Sequence, residues 1–207
     1  MRHAFDKAYW ETHWRQVEGH GPGPNPYLVR ETSDLAPGTA LDAGCGEGAE
    51  ALALAAAGWR VTAADISAEV LARAAERANR GGPSPGSVRW VEADLSTWEP
   101  GAQFDLVTTH YAHPAMPQLA FHARLADWVV PDGTLLIVGH LHSPDTPGHG
   151  EDHGHHPPEE ASVSVAGITA VLDAVRWDVV TAEEHSRTIT GRPVPLHDVV
   201  VRAVRRP

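Results

Sequence analysis

The chain is short of cysteine, of positive charge and of long apolar runs. Of its 207 residues only Cys45 is cysteine, so no disulfide can form within the chain. That fits a reducing compartment, and the expected location is the cytoplasm. Lys and Arg number 16 against 27 Asp and Glu, a formal net charge of −11 with histidine neutral. Such a deficit works against nucleic-acid binding, which depends on cations set against phosphates. Arg202, Arg205 and Arg206 form the one obvious basic cluster, and a solvated tail accounts for it. Although 42% of the residues are hydrophobic, no apolar run is long enough to span a bilayer, so no membrane partner is expected. The N-terminal MRHAFDKAYW lacks the apolar stretch of a secretory signal. A chain of this length suits one domain, residues 1–207, with a substantial core. Nothing in the sequence sets an oligomeric state.

What is present is organised around Thr39 to Asp65, TALDAGCGEGAEALALAAAGWRVTAAD. Residues 39–43 are a short apolar run that stops at glycine, as a buried strand would. Gly44, Gly46 and Gly48 follow as GxGxG, with Asp42 just ahead. Without a Cβ, such glycines let the backbone turn sharply and approach a ligand closely. Residues 47–57 are strong helix formers that end at Gly58, a favoured residue just past a helix. Residues 60–66 resume as a strand that delivers Asp65, and an acid there suits the two hydroxyls of a ribose. A nicotinamide site normally shows GxGxxG. Position 49 is alanine, which some dinucleotide folds tolerate, so the spacing disfavours a nicotinamide-dependent oxidoreductase without removing it.

Upstream, residues 3–18 read as an amphipathic helix. Phe5, Tyr9 and His13 recur every four residues, with Trp10, Trp14 and Val17 beside them. This aromatic stripe is either a face packed on the domain or a lid over a cofactor, and Trp14 suits both. The run GHGPGPNP at 19–26 forbids regular structure. A short helix over 27–35 completes a helical cap over residues 1–36. Downstream, Ser67 caps a helix with an apolar stripe at Val70, Leu71, Ala74, Ala75 and Ala78. A break over 79–86 precedes strands at 87–93 and 105–111. Pro114 opens a helix running to about Trp128. A turn at 131–133 leads into a strand over 134–141. A polar loop over 142–160, a helix over 164–175, and strands at 178–187 and 197–204 close the chain. Strands alternating with helices predict an α/β fold with a parallel sheet covered on both faces.

The ordered motifs LDAGCGEG and AADIS resemble the first two motifs of class I S-adenosylmethionine-dependent methyltransferases. EADLSTW at 92–98, FDLVTTHYAH at 104–113 and PDGTLLIVGH at 131–140 resemble the next three in the right order. YWETHW near the N-terminus is similar to the small-molecule branch with thiopurine and tellurite methyltransferase-like proteins. The resemblance implies a Rossmann-like, seven-stranded, mostly parallel sheet whose last strand is antiparallel, with S-adenosyl-L-methionine as cofactor. It implies cofactor contacts from Trp14, Asp42, Gly44, Cys45 and Gly46 around the glycine turn. Asp65 and Ile66 would follow the second strand, and Ala93, Asp94 and Leu95 the third, with Asp94 meeting the adenine amino group. His110 would line the same pocket.

Methyl transfer to a nucleophile needs in-line positioning and exclusion of water, and a base only when the acceptor arrives as a weak acid. His113 and Tyr111, just beyond the fourth strand, are the candidate bases, histidine because its ordinary pKa lies near neutrality. The expected acceptor is a small molecule. The rival reading is a metal-binding or sensory protein on the same fold, resting on the histidine-rich loop. His153, His155 and His156, in HGEDHGHH, are its candidate ligands for a divalent metal that would order the loop as a lid and shape the acceptor pocket; the alternative is a solvated, mobile loop without metal.

Overall fold

The computed structural model describes residues 5–17, 23–141, 161–188 and 195–207. The expected histidine-rich loop, with His153, His155 and His156, lies outside the described residues.

Helices α1 (Lys7–Gln16) and α2 (Pro26–Thr32) precede β1 (Thr39–Ala43), α3 (Ala49–Ala56), β2 (Arg60–Asp65), α4 (Ala68–Gly81) and β3 (Ser87–Glu92). Then come β4 (Phe104–His110), α5 (Gln118–Asp127), β5 (Val129–Leu141), β6 (Ser162–Val163), α6 (Val165–Ala170), β7 (Trp177–Arg187) and β8 (Leu196–Arg205). The strands lie in the order β3-β2-β1-β4-β5-β8-β7, with β3, β2, β1, β4 and β5 parallel and β8 antiparallel to both neighbours. The mostly parallel sheet with an antiparallel last strand is therefore present.

Strand alternation distributes the core to both faces. In β5, Leu135 and Ile137 join Phe121, Leu125 and Ile168 on the α5–α6 face. Leu136 and Val138 join Leu28, Leu54 and Trp59 on the α2–α3 face. Both faces of a parallel sheet must be covered, hence the near-continuous apolar runs in β1 and β5. On α4, Ser67 Oγ accepts from Val70 N, and Val70, Leu71 and Ala74 are buried against the sheet.

The structure differs from the expected elements at four places. Helix α5 starts at Gln118, not Pro114. Pro117 restricts Met116 to non-helical backbone, and residues 114–116 form a tight turn closed by Met116 N on Pro114 O. The expected turn at 131–133 is absorbed into β5 as an irregularity. The pairing shifts from Phe104–Val129 to Leu106–Thr134, with Asp132 at φ 63°. The closing helix reaches only Ala170. Finally β6, two residues long, adds an eighth strand. His140 pairs with Ser162 of β6 as well as with Asp198 of β8, so β6 takes the edge of β5 that β4 has left.

The candidate active site

Beyond the C-terminal ends of the parallel strands lies a cavity of about 900 Å³, where open α/β sheets hold their ligands. Its first half is the loop after β1. Gly44 N and Cys45 N both donate to Ala64 O, at 2.8 and 3.0 Å, which ties the turn to β2. Gly44 sits at φ 78°, and a Cβ there would lie 2.2 Å from the Ala112 Cβ. No other residue satisfies both the backbone and the space. Asp65 closes this half. Its Oδ2 accepts from Gly46 N and its Oδ1 from Ser67 N, each at 3.0 Å. Burial pushes its carboxyl above the usual range, and those N–H groups pull the other way. Asp94 accepts from Ser96 N and Ser96 Oγ through Oδ1.

Helix α1 roofs the cavity. It has no buried residue, and its aromatic stripe lines the cavity instead of packing into the core. Asp6 caps it, Glu11 Oε1 accepts from Ala68 N of α4, and Arg73 Nη1 donates to Val17 O. The Trp14 ring lies over the glycine loop, since a Cβ on Gly46 would come within 3.3 Å of it. Its Nε1 is shielded from solvent without a hydrogen-bond partner among the described residues.

The second half is a wall of rings. Tyr111 stands 4.6 Å from His140, His140 5.5 Å from His113, and His113 5.7 Å from Phe5. Trp10 Nε1 donates to His113 O. Burial, with His140 a lesser cause, holds the His113 imidazole down to about 3. Burial holds His110 at about 4, with its Nε2 beside Thr108 Oγ1 at 2.9 Å. Tyr111 has φ 56° and its hydroxyl is a hub. It donates to Asp198 Oδ1 and accepts from Arg187 Nη2 and Asn25 Nδ2. Burial, then Asp198, pushes this phenol well above its ordinary value.

Of the residues expected at the site, Trp14, Gly44, Cys45, Gly46, Asp65, Ile66, Asp94, Leu95, His110, Tyr111 and His113 reach the cavity wall. Two do not. Asp42 is 1% exposed beneath α3, where burial and the charges of Glu50 and Asp65 raise its carboxyl well above the usual range. Ala93 is part of the core. Cys45 is buried in the turn, and burial pushes its thiol up, so it is an inert small side chain. Among the described residues no group of three or more His, Cys, Asp or Glu is placed to hold a metal. Sequence reasoning missed Asn25, Glu50 and Arg187 on the wall. No local motif marks them, because they are brought in by α2, α3 and β7.

The residues of the first half fit S-adenosylmethionine. Asp65 has spent one acceptor site on each oxygen and keeps the others for hydroxyls. Glu47, Glu50 and Asp94 add carboxylates that complement a cation, and the Trp14 indole offers an unused donor beside the glycine loop.

Residues 40–133 match the family model for a methyltransferase domain. The chain is 30% identical over 200 residues to thiocyanate methyltransferase 1 of Arabidopsis thaliana, covering 93% of this chain and 83% of that protein. It belongs to the class I S-adenosylmethionine-dependent methyltransferases of the small-molecule type. A trans-aconitate 2-methyltransferase of Azoarcus sp. is 30% identical over 166 residues, 73% of this methyltransferase and 58% of the relative. The fold is that of magnesium protoporphyrin IX methyltransferase from Synechocystis, solved with bound S-adenosylhomocysteine. The TM-score is 0.70 at 19% identity, over 96% and 97% of the two chains.

Proposed function

We propose that this enzyme methylates a small molecule whose reacting atom arrives as a competent nucleophile, a thiolate or similar soft anion, with no general base from the protein. The observation that carries this is the electrostatics of the second half. An imidazole held at about 3 is too weak a base to take a proton from an alcohol or thiol. A phenol pushed above its ordinary value stays protonated and cannot act as a base. His113 and Tyr111 thus shape and dry the acceptor pocket. The name of the thiocyanate methyltransferase relative supports the same reading.

S-adenosylmethionine supplies an activated methyl group on a positively charged sulfur. Asp65 would hold its ribose hydroxyls, Asp94 its adenine amino group, and the Gly44–Gly46 backbone, Trp14, Ile66 and Leu95 the rest. Held there, the cofactor would supply its methyl carbon to the acceptor's lone pair and would leave as the neutral thioether. The chain's residues contribute alignment and exclusion of water. No described helix is long and apolar enough to cross a membrane. The lone cysteine and the negative charge support a cytoplasmic enzyme without a nucleic-acid partner, the whole chain acting as one methyltransferase domain.

The test is transfer of labelled methyl from S-adenosylmethionine to a panel of thiols, thiocyanate, phenols and alcohols. Thiols or thiocyanate should be methylated, and hydroxyl acceptors of the same size should be slower by about 10²-fold or more, for want of a base. Equal rates on hydroxyl acceptors would overturn the base-free reading.

A further inference from the structure

The cavity wall is electrically two-sided. Its four acids, Glu47, Glu50, Asp65 and Asp94, all come from the glycine loop, the start of α3 and the ends of β2 and β3. The half built from β4, β5, β7 and β8 contributes no carboxylate to the wall among the described residues. It contributes one guanidinium, Arg187. The other arginine on the wall, Arg77, belongs to α4, which packs against β2 and β3.

Arg187 is held in place on three sides. Its Nε donates to Asp198 Oδ2, its Nη2 donates to Tyr111 Oη at 2.8 Å, and its guanidinium lies 5.9 Å from the centre of the Tyr27 ring. Nη1 makes no hydrogen bond among the described residues. Asp198 is 0% exposed and lies off the cavity wall, whereas Arg187 lies on it. The pair therefore shows its positive end to the cavity. A guanidinium fixed in this way loses little further freedom when it binds an anion, and its planar fork suits carboxylates and similar groups. Asp198 is the carboxylate paired with it, and burial keeps the His113 and His110 imidazoles of the same wall neutral at physiological pH.

We propose that Arg187 recognises the acceptor of this methyltransferase by pairing with a negatively charged group on it, which makes small anions the substrate class. The assignment rests on the methyl-transfer reading above and adds to it the residue that reads the acceptor's charge. It also gives the cavity a division of labour, with the acidic half facing a cationic cofactor and the cationic half facing an anionic acceptor. Where the anionic atom is itself the nucleophile, the transfer would neutralise it and the sulfonium together; a separate anionic group would stay paired with Arg187.

The experiment uses the full chain saturated with S-adenosylhomocysteine and reads calorimetric binding of thiocyanate and 3-mercaptopropionate beside neutral 2-mercaptoethanol. It is repeated in Arg187→Gln and Arg187→Lys. Failure of S-adenosylhomocysteine itself to bind the parent would remove the methyl-transfer reading, and with it this one. With that cofactor product bound, at least one anion should bind the parent more tightly than the neutral thiol. Arg187→Gln should weaken the anion by roughly 10- to 100-fold, Arg187→Lys by less, and neither should alter the neutral thiol or the S-adenosylhomocysteine affinity. A merely structural arginine would depress all three ligands together. Such a uniform loss would overturn the proposal, as would anions binding the parent no better than the neutral thiol or unchanged anion binding in Arg187→Gln. If Arg187→Gln does not fold, Arg187→Lys and the salt dependence of anion binding in the parent decide. A salt-independent affinity would count against an ion pair.

Discussion

The half of the cavity around Asp65 is assembled from residues 44–50, 65–66 and 94–95, together with the roof from α1. The half around His113 draws on residues 110–114, 140, 187 and 196, four separate stretches from different strands. The first half is rigid backbone, with glycines held by N–H groups on Ala64 O and by the Asp65 carboxylate. The second is made of side chains, rings stacked on rings around the Tyr111 hydroxyl. A cofactor site that is mostly main chain tolerates few substitutions, whereas an acceptor site that is mostly side chain can be re-cut without disturbing the turn.

The largest expected effect tests the rigidity of the first half. Gly44→Val would place a branched side chain at φ 78° and against Ala112, where even a Cβ would lie at 2.2 Å. Strained backbone and overpacking together should cost about 2–4 kcal/mol of stability and abolish S-adenosylhomocysteine binding. A thermal melt matching the parent would show that the turn is not held as described. Asp65→Ala leaves the backbone alone and should weaken S-adenosylhomocysteine by about 1–3 kcal/mol in calorimetry, through loss of an ionised acceptor.

The acceptor side should show itself through pH. His122 of α5, 1% exposed, is held at about 4 by burial and, to a lesser extent, by His113. The unfolded chain takes up a proton below about 6.5 that the folded chain refuses. This contribution to stability is thus complete above pH 6.5 and is lost as pH falls toward 4. Between pH 7 and 5 the loss is on the order of 2 kcal/mol. His110 and His113, held low in the same way, add to the drop, so denaturant titrations at the two values should show a shallower fall in His122→Leu than in the parent. An equally steep drop in that variant would assign the effect elsewhere. The smallest effect expected is that of His113→Ala, a less than ~10-fold change in the rate of thiol methylation with unchanged S-adenosylhomocysteine affinity, because no base is required. A collapse of the rate on thiols would restore His113 as a base.

The contrast between the two halves also explains what could be read before the fold was known. The glycine turn, its flanking strands and the acids Asp65 and Asp94 are contiguous, and local spacing declares them. The strand alternation of β5 declares both core faces in the same way. Asp42 was drawn toward the site by its place beside the glycines, yet the strand buries it one layer below the wall. The aromatic stripe of α1 was legible as a stripe, but only its docking on α4 shows that it faces a cavity. Arg187 and Asp198 were illegible. They lie 11 residues apart on neighbouring antiparallel strands, and pairing of β7 with β8 is a tertiary event that no spacing announces. The two-residue β6 lies below the length at which alternation carries a signal.

The central claim is that the acidic half of the cavity holds S-adenosylmethionine. Its most direct measurement is a calorimetric titration of S-adenosylhomocysteine into the parent and Asp65→Ala proteins, run beside a titration of NADH into the parent. One S-adenosylhomocysteine should bind per chain, more weakly in the variant, with no heat from NADH. Binding of NADH without S-adenosylhomocysteine, or equal S-adenosylhomocysteine affinity in the two proteins, would contradict it.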